Sequence, residues 1–210
     1  FARGMQGKPG KDRKASMKLR IILVGAIDPE IVAILKRGIE DMFPSDVRLG
    51  DGLRPSIEAY DADRGQYSAE VILNDLAQLE IEDQEHILGL ADCDLYIPEL
   101  TFVFGAALGT AALVSVTRLR QEFYSLQADG DLLTRRILTE AVHEIGHTYG
   151  MRHCFDPGCV MFFSRNIADT DRKGFNLCDS CEETLSRLSK PLLEISEDDP
   201  RLRPSLNIML

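Results

Sequence analysis

The chain has 210 residues, 44% hydrophobic and 28% charged, which excludes wholesale disorder, and its five cysteines are too sparse for a disulfide-dense miniprotein. Its 24 Lys and Arg stand against 34 Asp and Glu, a net charge of −10. Residues 1–16 carry a net +4, which leaves −14 on the remainder, a poor partner for nucleic acid or an anionic membrane.

Residues 1–16 are polar, contain Gly and Pro and show no hydrophobic period, so they are expected to be a tag or flexible tail outside the fold. One domain is expected from 17 to 210. Lys18 and Arg20 precede an apolar run over 21–27 that superficially resembles a secretory signal. It is short, has no small-residue cleavage site and ends in Asp28, so a buried strand over 18–27 is the better reading. Asp28 and Pro29 open a helix with Ile31, Ile34, Leu35, Ile39 and Met42 on one face, and Pro44 closes it. A second strand follows over 47–53, a polar loop over 54–66, and a helix capped by Ser68 that runs to about Leu79. A third strand, 87–91 with 95–97, is broken near Asp92.

The uncharged stretch 101–117 contains Gly105 and Gly109 and is shorter than the roughly 20 residues a membrane helix needs. It reads as two strands, 102–104 and 111–117, and no membrane span is expected. A long helix over 131–149, capped by Asp131, comes next. Beyond Gly150, Gly, Pro, Cys and Asp become frequent, and hydrophobic periodicity returns only over 182–193. The order suggests a mixed α/β domain, with 17–150 as its sheet-and-helix part and 151–210 as a small metal-rich part.

Three of the four histidines fall within eleven residues, at His143, His147 and His153. His143 and His147 are four apart on the expected helix, so both rings leave the same face and can grip one Zn²⁺. Gly150 lets the chain leave the helix sharply, and the turn returns His153 as a third ligand. Three protein ligands leave one position for water, the pattern of a catalytic site. Glu144 then stands beside that water as general base, taking its proton and passing it to the leaving amine.

Four of the five cysteines follow: Cys154 and Cys159, then Cys178 and Cys181. Two close pairs separated by a loop fit a structural four-Cys zinc site, and two disulfides are the rival reading. Cys93 reads as a small buried hydrophobe. Cys154 directly follows His153, so the two expected metal sites share one peptide bond. Met161 lies inside the Cys knot and, on spacing alone, is equally a core residue.

His143-Glu144-x-x-His147-x-x-Gly150-x-x-His153 resembles the metzincin zinc-protease signature. With Cys154, Cys159, Met161, Cys178 and Cys181 it resembles the archaemetzincins in particular. The resemblance implies a metzincin-like fold, with a mixed twisted sheet and active-site helix above a cleft and a Cys-rich zinc subdomain below. It implies a catalytic zinc on His143, His147 and His153, Glu144 as base, and Met161 as the Met-turn residue beneath the metal. By the same analogy Thr101, Phe102, Val103, Phe104 and Gly105 form an edge strand against which an extended peptide pairs. At least one of the two Phe is expected to be core.

The expectation is a monomeric, cytoplasmic zinc metalloprotease or aminopeptidase with two Zn²⁺ per chain, acting on peptide or protein. Asp92, Asp94 and Glu99 are candidates for closing one end of the cleft as an aminopeptidase would, although they read more simply as solvated loop charges. The alternative is a zinc-binding interaction module whose three-His site is inactive or weakly occupied.

Overall fold

A computed structural model describes residues 17–43 and 45–188. Expectations for 1–16, for Pro44 and for the periodic stretch beyond 188 lie outside the described residues. The chain begins with β1 (Met17–Val24), whose alternation sends Leu19 and Ile21 to one core and Ile22 and Val24 to another. Helix α1 (Pro29–Met42) starts where expected, the Asp28 carboxylate accepting the Glu30 N–H at 2.9 Å. Strand β2 (Ser45–Leu49) begins earlier than expected and stops at Gly50, with one further bridge from Val24 to Leu53.

The supposed loop that follows is partly ordered. It carries β3 (Tyr60–Asp61) and β4 (Gln66–Ser68) before α2 (Ala69–Ala77), whose Ser68 cap is as expected. The broken third strand proves to be two strands in two sheets. Strand β5 (Glu85–Ala91) lies in the main sheet, and β6 (Leu95–Tyr96) joins β3 and β4 in a small one. Asp92 and Asp94 make the break, each held by a forked arginine, Arg120 and Arg118 respectively.

No strand forms over 102–104. The edge strand is β7 (Gly105–Leu108), paired antiparallel with β8 (Ala111–Ser115). Residues 101–104 are held instead by isolated contacts, among them the Ser115 N–H donating to the Phe104 carbonyl at 2.8 Å. Gln66 donates to the Thr101 carbonyl at 3.0 Å, Arg118 lies 4.2 Å over the Phe102 ring, and Val103 bridges only to Leu95. The five-stranded main sheet runs β2-β1-β5-β8-β7, parallel except for β7.

Helix α3 (Gly130–Thr148) is capped by Asp129, which accepts the Leu132 N–H at 2.9 Å, not by Asp131. Its Ile137, Ala141 and Ile145, one turn apart, pack on the sheet with α1, while Val142 faces a third core with Met151, Cys159, Val160 and Met161. From Thr139 to Thr148 every residue is buried, so the helix runs between the sheet and the chain beyond Gly150. Two short helices complete the described chain, α4 (Ile167–Lys173) and α5 (Asp179–Leu188). Neither was expected as a helix, since the chain beyond Gly150 read as irregular, with hydrophobic periodicity only over 182–193. Among the described residues no helix is long and apolar enough to cross a membrane.

Candidate active site and metal centres

The buried half of α3 carries His143, Glu144 and His147. Past its end Gly150 adopts φ +84°, a conformation that suits glycine, and the chain folds back to bring His153 alongside. One nitrogen from each of the three histidines lies within 4.8 Å of the others. The His143 Nδ1–H donates to the Val160 carbonyl at 2.7 Å, and the His147 Nδ1–H donates to the Met151 carbonyl at 2.8 Å. In each neutral ring this leaves the Nε2 lone pair free, and the two Nε2 atoms face each other at 3.1 Å. Two lone pairs so close repel unless a cation lies between them. Bonds of about 2.0–2.1 Å to a tetrahedral zinc give a ligand separation of about 3.3 Å, so the donors fit that ion. Burial pushes all three imidazoles below their ordinary pKa, His153 to about 4, so their lone pairs are open at neutral pH.

Glu144 is 5% exposed. Burial first, then repulsion from Glu140, pushes its carboxyl well above the usual carboxylate range. Beneath the helix, Met161 packs so closely that a Cβ at Gly146 would lie 2.6 Å from its sulfur. Gly105 has the same relation to Glu144, since a Cβ there would lie 2.7 Å from both Glu144 Cγ and the Leu113 carbonyl oxygen.

The four cysteines Cys154, Cys159, Cys178 and Cys181 converge with all sulfurs within 4.8 Å of one another. Cys154 and Cys178 are 3.9 Å apart, close to the roughly 3.8 Å edge of a tetrahedron with Zn–S bonds of about 2.3 Å. Disulfides would instead draw them into pairs at about 2.0 Å, and all four are free thiols here. The backbone continues the link between the centres: the Cys154 N–H donates to the Met161 carbonyl at 2.8 Å.

Thr101, Phe102, Val103, Phe104 and Gly105 line one cavity with His143 and Glu144, about 240 Å³ in volume. Phe104, 4% exposed, belongs to the core, whereas Phe102 is half-buried against it. The opposite wall is Phe163, Ser164 and Arg165, with the Phe163 ring 4.9 Å from that of His153. Sequence reading did not mark this wall. It also missed the carbonyls of Val160 and Met151 and the buried pair of Glu140 with Lys173, 3.2 Å apart. Glu140 was findable, since it lies three and four residues before His143 and Glu144 and shares their helix face. Lys173 was not, because its partner is remote in sequence. Asp92 and Asp94, candidates for closing the cleft, have their carboxylates engaged by Arg120 and Arg118.

The profile of peptidase family M54 matches residues 34–187. The chain belongs to peptidase family M54, the archaemetzincins. It is a zinc metallopeptidase by that membership. It is 39% identical over 171 residues to the archaemetzincin of Methanocaldococcus jannaschii, covering 80% of this chain and 93% of that one. The archaemetzincin of Saccharolobus solfataricus is 35% identical over 177 residues, 84% of this chain and 97% of the relative. The solved archaemetzincin structure from Methanopyrus kandleri superposes with a TM-score of 0.75 at 37% identity, covering 84% of this chain and 97% of that one. The mixed α/β fold of this family M54 chain agrees with that neighbour.

Proposed function

We propose that this chain cleaves internal peptide bonds with Glu144 as general base, a catalytic zinc on His143, His147 and His153, and a second, structural zinc on Cys154, Cys159, Cys178 and Cys181. The observation that carries the reading is the pair of free Nε2 atoms of His143 and His147 at 3.1 Å, with His143 and Glu144 both lining the cleft cavity. Zinc bound there supplies Lewis acidity, bringing the pKa of water toward about 7 and polarising a carbonyl. The chain's own groups do the rest. The Glu144 carboxylate takes a proton from the attacking water as the new C–O bond forms. Glu144 then returns that proton to the amine nitrogen as the C–N bond breaks.

Gly105 keeps this space open, because any side chain there would push against Glu144. Met161 supports the ligand-bearing helix from below. The segment Thr101, Phe102, Val103, Phe104 and Gly105 flanks the substrate, and β7 is the last strand of the main sheet among the described residues, placed to pair with an extended peptide. Residues 17–150 form the upper wall of this cleft, and the chain after 150 forms the lower one. Engagement of Asp92 and Asp94 in ion pairs removes two candidate clamps for a substrate amino terminus and favours endopeptidase over aminopeptidase action. Four cysteines gathered as a metal-holding group suit a reducing, cytoplasmic setting.

The test is turnover of a mixed peptide library by zinc-loaded parent and Glu144→Ala proteins, with metal content measured on both. The expected outcome is full metal in both and cleavage lower by at least about 10²-fold in the variant. Equal rates would sink the reading and leave a zinc-binding module.

A further inference from the structure

The cavity beside Glu144 is about 240 Å³, below the roughly 300 Å³ at which pockets for drug-sized ligands begin, so it suits one side chain. Leu100, Val103 and Phe163 give it an apolar lining. Its charged or titratable lining groups are His143, Glu144 and Arg165. Arg165 differs from the other arginines beside surface hollows. At a second hollow, Arg20 is paired with Glu85, and Arg48 with Asp46 and Glu82. Among the described residues the exposed Arg165 guanidinium has no carboxylate or carbonyl partner.

Its backbone, by contrast, is pinned. The Arg165 N–H donates to Asp169 Oδ2 at 3.1 Å, Asn166 caps α4, and Ser164 reaches Glu140 at 3.4 Å. A cation unpaired among the described residues thus lines an apolar pocket, its backbone fixed, on a molecule of net charge −10. A fixed backbone lowers the ordering cost of using it, and a planar guanidinium matches a carboxylate.

Resting on the peptidase reading above, we infer that Arg165 is a specificity residue. The cleft selects peptides that place an apolar side chain in the pocket and a carboxylate on Arg165. That carboxylate comes from an adjacent Asp or Glu or from the peptide's own C-terminus.

The experiment measures binding without turnover, on zinc-loaded Glu144→Ala protein. The probes are fluorescent, acetylated peptides with one Leu flanked on either side by Glu, Gln or Lys, as amides, and a matching Gln set ending in a free carboxylate. The Glu peptides, the free acids or both should bind about three- to tenfold more tightly than the Gln amides. Which set gains identifies the source of the carboxylate. Adding Arg165→Gln should abolish the gain, and Arg165→Glu should move the preference to Lys peptides, a reversal that a merely structural residue would not produce. Equal binding of carboxylate and amide peptides, or a preference that persists in Arg165→Gln, overturns the inference and leaves the peptidase reading standing. Failure of every peptide to bind metal-replete protein, together with no library cleavage by the parent, removes both.

Discussion

Thr148 has one hydroxyl proton and gives it to the Ile145 carbonyl at 2.7 Å, so its contact with His86 at 2.8 Å makes the His86 Nδ1–H the donor. The ring is 8% exposed and stacked at 4.2 Å on Tyr149. Burial pushes its pKa from 6.5 down to about 4. The unfolded chain takes up this proton as pH falls through 6.5, and the folded chain does not until about 4. The contribution of His86 is therefore complete above the upper value and declines toward the lower one, by about 3 kcal/mol in all. Metal release also weakens the protein in acid, so the comparison is between parent and His86→Phe. Urea denaturation from pH 7.5 to pH 4 should show the parent losing stability more steeply, and parallel curves would refute the assignment.

At the scale of elements, α3 and α4 are joined by two ion pairs. One is Arg136 with Asp171 at 2.6 Å, and the other is Glu140 with Lys173, whose side chains are 3% and 0% exposed. Lys173 also donates to the Phe162 carbonyl at 3.2 Å, next to Met161. Removing one member of a buried pair strands the other charge, at about 3–5 kcal/mol, whereas removing both is far milder. Thermal melts should therefore rank Lys173→Met and Glu140→Gln well below the double variant, and simple additivity would argue against a stranded charge. What could be read from sequence follows the same division between local and remote. The cap and apolar stripe of α1, the ligand spacing on α3 and the Cys cluster rest on residues close in the chain. The strands of the small sheet are two or three residues long and show no period. The edge strand was misplaced because the apolar run over 102–104 reads as a strand, whereas those residues are tied by isolated contacts to Arg118, Leu95 and Ser115. The wall at Phe163 and Arg165 depends on α4, a seven-residue helix whose partners lie on α3.

Across the whole molecule, the chain after Gly150 has a small core built from Val142, Met151, Cys159, Val160, Met161 and Leu188. On the proposed reading so small a core leans on a structural zinc at the four cysteines, a metal worth on the order of 10 kcal/mol in isolated structural zinc domains. Cys178→Ser should lose the structural zinc and melt far below the parent, while Glu144→Ala keeps the parent's melting temperature. Similar melting temperatures for parent and Cys178→Ser would contradict this dependence. The single peptide bond from His153 to Cys154 then couples supply to activity. On the proposed two-zinc reading, the third imidazole has no fixed address until the sulfurs close on their metal, and two imidazoles make a poor trap. Activity should rise with free zinc more steeply than one-site saturation, as an assembly line whose second station opens only after the first is staffed.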